Sequence, residues 1–344
     1  MQRILCAAAA ATLAACSNAT SPTGPVLATI AVGARPGTPV IGAGAVWVPN
    51  TGDGTVSRID PSTNRNVATL RIGDAPSFYH STCEASGSVH SFMGTTFNVR
   101  RCDLPSALAV AGQVLWAAAN DQQALVGFDT ATGRRVATIP LGQTPFELAA
   151  DHDSVWVTSY WDDTIQRVEL ATKRVVLTLH EPGQGPSGIA IGPDAVWIAN
   201  SRAGTVVRID PRTNQVAATI SLPCREPCPI GPTPLPIVVT STGVWVRNEA
   251  SGTLSRIDPD NNTVSATVDV QAAYGRAGLD AIAATPSAIW LSGIKVQRVD
   301  PTSATLTGNV DVTGISLAYG YGSLWVTDIL GRVLRIDTAR LDNG

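Results

Sequence analysis

One unit of about 40 residues recurs along this chain, and residues 186–220, PSGIAIGPDAVWIANSRAGTVVRIDPRTNQVAATI, show it most completely. A short apolar run, Gly188 to Ile191, meets a Gly-Pro-Asp turn. A second run carries Trp197 and ends in the polar loop Asn-Ser-Arg-Ala-Gly. A third, Thr205 to Ile209, closes on Asp210-Pro211, and a fourth, Val216 to Ile220, completes the unit. Each run has the length of a strand, is rich in Val, Ile and Thr, and is bounded by turn residues, so the unit reads as a four-stranded antiparallel meander.

Aligned on the tryptophan, the unit occurs seven times, at Trp47, Trp116, Trp156, Trp197, Trp245, Trp290 and Trp325. Each copy has a third run ending in an acidic residue: Asp60, Asp129, Glu169, Asp210, Asp258, Asp300 and Asp337. Tryptophan spacings of 69, 40, 41, 48, 45 and 35 residues give the basic period with one large and one small insertion. That period with four strands per unit is the signature of a β-propeller blade. The last copy stops after RIDTARL without a fourth strand, while the chain opens its repeat region with VLATIAVG, Val26 to Gly33, which matches fourth strands elsewhere. The expectation is an all-β, seven-bladed propeller of four-stranded antiparallel blades over residues 26–342, its ring closed by the N-terminal strand. Such a clasp removes an open seam at which edge strands pair with other chains.

The recurring V-W-V-x-N, G-T-V-x-R-I-D-P and V-x-A-T-I-x-V-G-x-x-P, clearest at 39–73 and 186–220, resemble the seven-bladed propellers of the YVTN type and the related virginiamycin B lyase-like propellers. The resemblance covers residues 26–340 and speaks for the fold, since propellers host many unrelated activities. For the lyase-like group it implies a His and acidic residues acting with a metal, and an acidic residue just after the tryptophan strand. Here Asn50, Ser159, Asn200 and Asn248 stand at that place, with Asp328 the exception.

Residues 1–15 have a basic start at Arg3 and an apolar stretch from Ile4 to Ala15, the layout of a secretory signal, and too short to span a bilayer as a helix. Leu13-Ala14-Ala15-Cys16 looks like the lipobox of bacterial lipoproteins, which makes Cys16 the lipidated residue and 16–25 a flexible tether. The alternative is an ordinary signal peptide with a chance cysteine. Ser17 after Cys16 resembles an outer-membrane address. The expected location is the bacterial cell envelope, with the membrane contacted through the lipid anchor. A formal net charge of -3 argues against a nucleic-acid partner.

Four cysteines remain, Cys83, Cys102, Cys224 and Cys228, and an even number outside the cytoplasm favours disulfides. Three connectivities are possible. The first two cysteines sit in one insertion (74–105) and the last two in another (223–236), so Cys83 with Cys102 and Cys224 with Cys228 is the preferred local solution. His80, Cys83, His90 and Cys102 offer the ligand types of a tetrahedral zinc site, but H-x2-C-x6-H-x11-C matches no common zinc module, and a disulfide with two incidental histidines is preferred.

Turns between strands one and two, and between three and four, fall on one face of the ring. Strand-two-to-three loops and crossovers fall on the other, here called the top. Both insertions are crossovers and so decorate the top. There too lie a long crossover, Gln271 to Leu279, with Tyr274 and Arg276, and the irregular pair Tyr160-Trp161 in the blade-three loop. Trp161 is the one tryptophan outside the repeat position. It is either a recognition element, since aromatic residues dominate binding hot spots, or a ring tucked against its own blade. The repeated acids and tryptophans read as structural, Asp-Pro suiting a type I turn whose Asp bonds the backbone two residues on.

The innermost strands, VIGA, ALAV, ELAA, GIAI, IVVT, AIAA and SLAY, are nearly all small or apolar. Glu147 and Asp280 alone bring carboxylates near the mouth of the channel, and calcium needs 6 to 8 oxygen ligands, so no metal or other cofactor is expected. His152 reads as a solvated turn residue. His180, at the start of a top crossover, is the best general-base candidate. No phosphate-cradling glycine loop, Gly-x-Ser-x-Gly elbow or haem-attachment motif occurs. The leading expectation is a non-catalytic, lipid-anchored binding or scaffold propeller that takes a protein, peptide or glycan at a top face containing Tyr160, Trp161, Tyr274 and Arg276. The alternative is a virginiamycin B lyase-like lyase or hydrolase using His180, Glu147 and Asp280.

Overall fold

The computed structural model of the chain describes residues 24–72, 105–120, 122–180, 184–224, 231–270 and 281–341, together with the backbone of 85–92 and 95–100. Thirty strands are present among the described residues. β1 (Val26–Ala31) is followed by blade one, β2 (Val40–Gly42), β3 (Ala45–Asn50), β4 (Thr55–Asp60) and β5 (Arg65–Arg71). The first insertion contributes a hairpin, β6 (Ala85–Phe92) and β7 (Thr95–Arg100). Blade two is β8 (Pro105–Ala111), β9 (Val114–Ala119), β10 (Ala124–Asp129) and β11 (Arg135–Pro140); blade three is β12 (Glu147–Ala150), β13 (Ser154–Ser159), β14 (Thr164–Glu169) and β15 (Arg174–His180). Blade four is β16 (Pro186–Ile191), β17 (Val196–Asn200), β18 (Thr205–Asp210) and β19 (Gln215–Ser221); blade five is β20 (Pro234–Thr240), β21 (Gly243–Asn248), β22 (Thr253–Asp258) and β23 (Thr263–Asp269). Blade six is β24 (Ile282–Ala284), β25 (Ile289–Leu291), β26 (Val296–Asp300) and β27 (Thr305–Val310), and blade seven is β28 (Ser316–Gly320), β29 (Ser323–Thr327) and β30 (Arg332–Asp337).

The expected architecture is observed: seven four-stranded antiparallel sheets in sequential order, with β1 as the outer strand of blade seven. β1 pairs antiparallel with β30, Thr29 opposite Leu334 and Ala31 opposite Arg332. β8 begins at Pro105 and β20 at Pro234, within the last residues of the two expected insertions. No helix among the described residues is long and apolar enough to cross a membrane.

The second strands explain why the ring holds. Residues of β3, β13 and β21 are buried throughout, because these strands face a neighbouring blade on both sides, whereas the outer strands alternate between exposed and half-buried. Each repeat tryptophan enters the core shared with the next blade: Trp47 clusters with Leu108 and Val126, Trp156 with Ile189 and Ile198, and Trp325 with Val46 and Val48.

A cross-strand arginine covers the tryptophan and ties the seam. Arg167, paired with Trp156, lies over its ring at 5.4 Å and donates through Nη1 to Pro211 O (2.7 Å) and Asn214 Oδ1 (3.0 Å) of blade four. Arg208 does the same over Trp197, reaching Pro259 O and Asn262 Oδ1 of blade five. The accepting Asn residues have φ of 57° and 54°, a left-handed geometry that Asn tolerates better than most side chains. The Asp-Pro-x-x-Asn turn is therefore both a local turn and the receptor for the preceding blade. Its Asp is engaged within the turn, as Asp60 Oδ1 is by the Ser62 amide at 2.8 Å; those turn hydrogen bonds, led by the Ser62 hydroxyl, hold the Asp60 carboxyl below its usual range.

Candidate functional site

The blade-three loop is the most elaborate described part of the top face. Tyr160, Thr158 and Trp156 alternate along one side of the chain and face blade four. Tyr160 is 5% exposed. Its ring lies 5.4 Å from Phe146 and 4.7 Å, edge-on, from Trp161, while the Arg202 guanidinium of blade four sits 5.3 Å from its centroid. Arg202 forms an ion pair with Asp163, whose Oδ1 also accepts the Gly185 amide at 2.8 Å. Gly185 has a φ of +69°, and a Cβ there meets Tyr160 Cε2 at 3.0 Å, which explains a glycine in this crossover. Burial pushes the Tyr160 hydroxyl pKa up, with Arg202 opposing and Asp163 adding, so the phenol stays neutral. Thr144 donates its amide to Asp162 Oδ2 at 2.8 Å, pinning the other side of the loop.

Tyr160 is thus a post inside a four-part cluster, and Trp161 is the half-exposed ring of the pair. The sequence singles out Tyr160 and Trp161 but misses Phe146, Arg202 and Asp163. An Arg in the equivalent loop of the next blade, beside an Asp at a left-handed position (φ 52°), was the available signal.

Glu147 opens β12, the innermost strand of blade three. Its amide donates to Thr158 Oγ1 (3.2 Å) and its Oε1 accepts the Leu148 amide (3.2 Å). Burial raises its pKa from 4.5 to about 7, partly opposed by the Leu148 amide. From Thr158 a buried polar chain runs across blade four: Thr158 Oγ1 donates to Ser187 O, Ser187 Oγ lies 2.7 Å from Ser201 Oγ, and Ser201 Oγ donates to Pro234 O of blade five. A fully buried ionisable group, Arg247, is 1% exposed and donates to Ser292 O of blade six at 2.7 Å. It stands where other copies have Pro49, Ala118, Thr158, Ala199, Ser292 or Thr327, a break in the repeat that is visible in the sequence.

His180 is not beside Glu147. It ends β15, the outermost strand, exposed and paired with Thr164, and β13 and β14 lie between the two residues. At the usual strand spacing that separation is roughly 14 Å. Sharing one end of a blade does not place an outer-strand side chain at the channel mouth. Asp280, Tyr274, Arg276, Cys83, Cys102, Cys228, His80 and Cys16 lie outside the described residues, as do the side chain of His90 and both expected cystine pairs. Cys224 is half-buried just beyond β19. Among the described residues no group of three or more His, Cys, Asp or Glu side chains is placed to hold a metal.

Three of the polar residues after the tryptophan strands, Asn50, Asn248 and Asp328, are bound into the scaffold. Asn50 donates to Thr55 Oγ1 and Ser57 Oγ and accepts the Gly33 amide. Asn248 repeats the pattern with Thr253 and Ser255. Asp328 accepts the Leu330 and Arg332 amides and the Arg332 guanidinium. His152 is a solvated turn residue as expected, 2.7 Å from Asp153. On the lower face a cleft of about 180 Å³ between blades five and six is lined by Thr240, Thr242, Thr285, Pro286 and Pro301; its three threonine hydroxyls already bond Gly243, Trp245 and Ala288.

No family profile matches this chain, and no curated protein matches its sequence. Solved structures do resemble it. A streptogramin B lyase is 16% identical with a TM-score of 0.68, the match covering 92% of this chain and 95% of that one. A catalytically inactive virginiamycin B lyase from Staphylococcus aureus, with quinupristin, is 13% identical with a TM-score of 0.67, covering 88% and 94%. U3-55K is 12% identical with a TM-score of 0.66, covering 88% and 95%. At these identities the likeness is one of fold: this chain is a seven-bladed β-propeller similar in structure to lyases of the virginiamycin B type and to propellers with unrelated names.

Proposed function

We propose that this protein is an exported, lipid-anchored propeller of the bacterial cell envelope that serves as a non-catalytic binding or scaffold module. It takes a protein, peptide or glycan partner on its top face, with Trp161 as a contact residue. The observation that carries the reading is the blade-three cluster: Phe146, Tyr160, Arg202 and Asp163 rigidly support a tryptophan that the repeat does not require. Loops on a rigid scaffold are where propeller recognition is expected. Tyr274, Arg276 and the crossovers stapled by Cys83–Cys102 and Cys224–Cys228 complete the proposed face. Cys16 supplies the anchor and 17–25 the tether.

Two experiments test this reading separately. Cys16→Ser is expected to move the protein from the membrane to the soluble envelope fraction. Trp161→Ala is expected to abolish capture of the partner recovered with the native chain, with the melting transition unchanged. Capture that survives Trp161→Ala sinks the proposed face.

A second reading, a lyase or hydrolase, is favoured by the place of Glu147 at the start of the innermost strand of blade three, where burial raises its carboxyl pKa to about 7, a value that suits proton transfer. Its expected partner His180 does not converge on Glu147, since it lies on the outer strand. Turnover of quinupristin, the molecule bound to the similar virginiamycin B lyase, that is lost in Glu147→Gln would establish it.

A further inference from the structure

The outer strands break the symmetry of the ring. At the first outer position, Arg65, Arg134 and Arg174 of blades one to three correspond to Gln215, Thr263 and Thr305 of blades four to six. Two residues further on, at the bulge that the ladder skips, Val67, Val136 and Val176 correspond to Ala217, Ser265 and Thr307. The three valines are 51%, 44% and 50% exposed, and the three arginines are exposed, with no ion pair to any of the described residues. Across residues 60–71, 129–140 and 169–180 there are six Arg or Lys against three Asp or Glu. The matching segments 210–221, 258–269 and 300–311 hold one against six.

Edge strands commonly carry Lys or Arg to block pairing with other chains. That need is equal in all blades, yet blades four to six meet it with neutral residues. The acids facing the arc are committed to their own turns: Asp60 to Ser62 and Thr63, Asp129 to Thr132, and Glu169 to Thr172. Arg135 and Lys173 are tied to carbonyls of the neighbouring blade, which leaves Arg65, Arg134 and Arg174 beside the bare valines and Arg71 at the far end of β5.

We propose that this arc, the outer edges of blades one to three, docks on an anionic phospholipid surface. Guanidinium groups that alternate with small β-branched side chains suit headgroups with shallow apolar contact. The entry of the chain fits that occupant: Gly24 O accepts Arg340 Nη1 and Pro25 O accepts the Asp337 amide. The tether therefore arrives at the lower rim of blade seven, next to blade one, where the arc begins. The proposal draws on the lipid-anchor reading only for this placement, and its test is free of the anchor.

The test is flotation of the Cys16→Ser chain, which carries no lipid, with vesicles of phosphatidylcholine alone or mixed with an equal share of phosphatidylglycerol. Binding is expected only to the mixed vesicles at low ionic strength and is expected to vanish in high salt, where screening is complete within a few ångströms. With roughly a fivefold effect per arginine near an anionic surface, the triple variant Arg65→Gln/Arg134→Gln/Arg174→Gln is expected to bind on the order of a hundredfold more weakly. Arg212→Gln, on blade four, is expected to bind like the parent. Equal binding to both vesicles, an unaffected triple variant, or retention by an acidic polymer without vesicle binding overturns the proposal. Failure of Cys16→Ser to leave the membrane fraction in cells is a different result and speaks only to the anchor.

Discussion

Arg335 of the last blade donates through Nη1 to Asn64 Oδ1 of the first at 2.8 Å, across 271 residues of sequence. The same nitrogen reaches Pro61 O at 2.6 Å, and the guanidinium lies 4.9 Å from the Trp325 ring centroid. The ring is thus closed twice, by β1 completing blade seven and by the arginine tie to blade one.

Removing the tie is expected to weaken the whole ring. Asn64→Gly keeps a residue suited to the φ of 56° while deleting the acceptor, and is expected to cost about 1 kcal/mol. Arg335→Met also loses the cation–π contact and the bond to Pro61, and is expected to cost about 2 kcal/mol. Denaturant unfolding of the two variants checks both values.

The seam between blades one and two lacks the tie. Arg58 covers Trp47 at 5.5 Å, but its Nε is buried without a partner. The turn it faces ends in Gly133, at φ +70°, where blades one, four and five have Asn. Gly133→Asn is expected to supply the acceptor and stabilise by about 1 kcal/mol. The Cβ meets Leu70 Cδ2 at 2.7 Å, a flexible side-chain end that must swing aside. The gain is expected to disappear in an Arg58→Met background, so a double-mutant cycle decides.

How legible this was from the sequence follows from which contacts are local to one repeat. The tryptophan strand and the Asp turn recur within each unit, and so the blades and the N-terminal clasp could be read directly. The tie joins the third strand of one blade to the turn of the next, a relation that exists only after the ring has formed. His180 and Glu147 share one end of blade three, yet two strands separate them, a distance across the sheet that the repeat pattern alone does not convey. Tyr160 reads as an irregular loop aromatic, and only Phe146 and Arg202, from other segments, show that it is buried.

Glu147 sets a pH dependence. Its pKa is raised in the folded chain from 4.5 to about 7, so the folded state binds the extra proton between these values. The stability that it contributes is complete below pH 4.5, falls as pH rises through 7, and then levels off. The total is on the order of 3 kcal/mol at most. In Glu147→Gln this decline is expected to be absent; unfolding midpoints followed from pH 4.5 to 8 compare the two chains.

Tyr160 and Trp161 are expected to separate structure from recognition. Tyr160→Ala opens the Phe146–Arg202 cluster and is expected to cost about 3 kcal/mol, as large-to-small changes at buried aromatics do. Trp161→Ala is expected to cost less than about 1 kcal/mol, as at surface positions, while abolishing partner capture. Thermal melts run beside a binding assay measure both effects.

The most direct test of the binding-face account is photocrosslinking in intact cells, with a benzophenone amino acid placed at position 161 on the top face or at 212 on the lower face. A discrete crosslinked partner from position 161, absent from position 212, is the predicted result. The same adducts from both positions, or none from position 161, contradict the account.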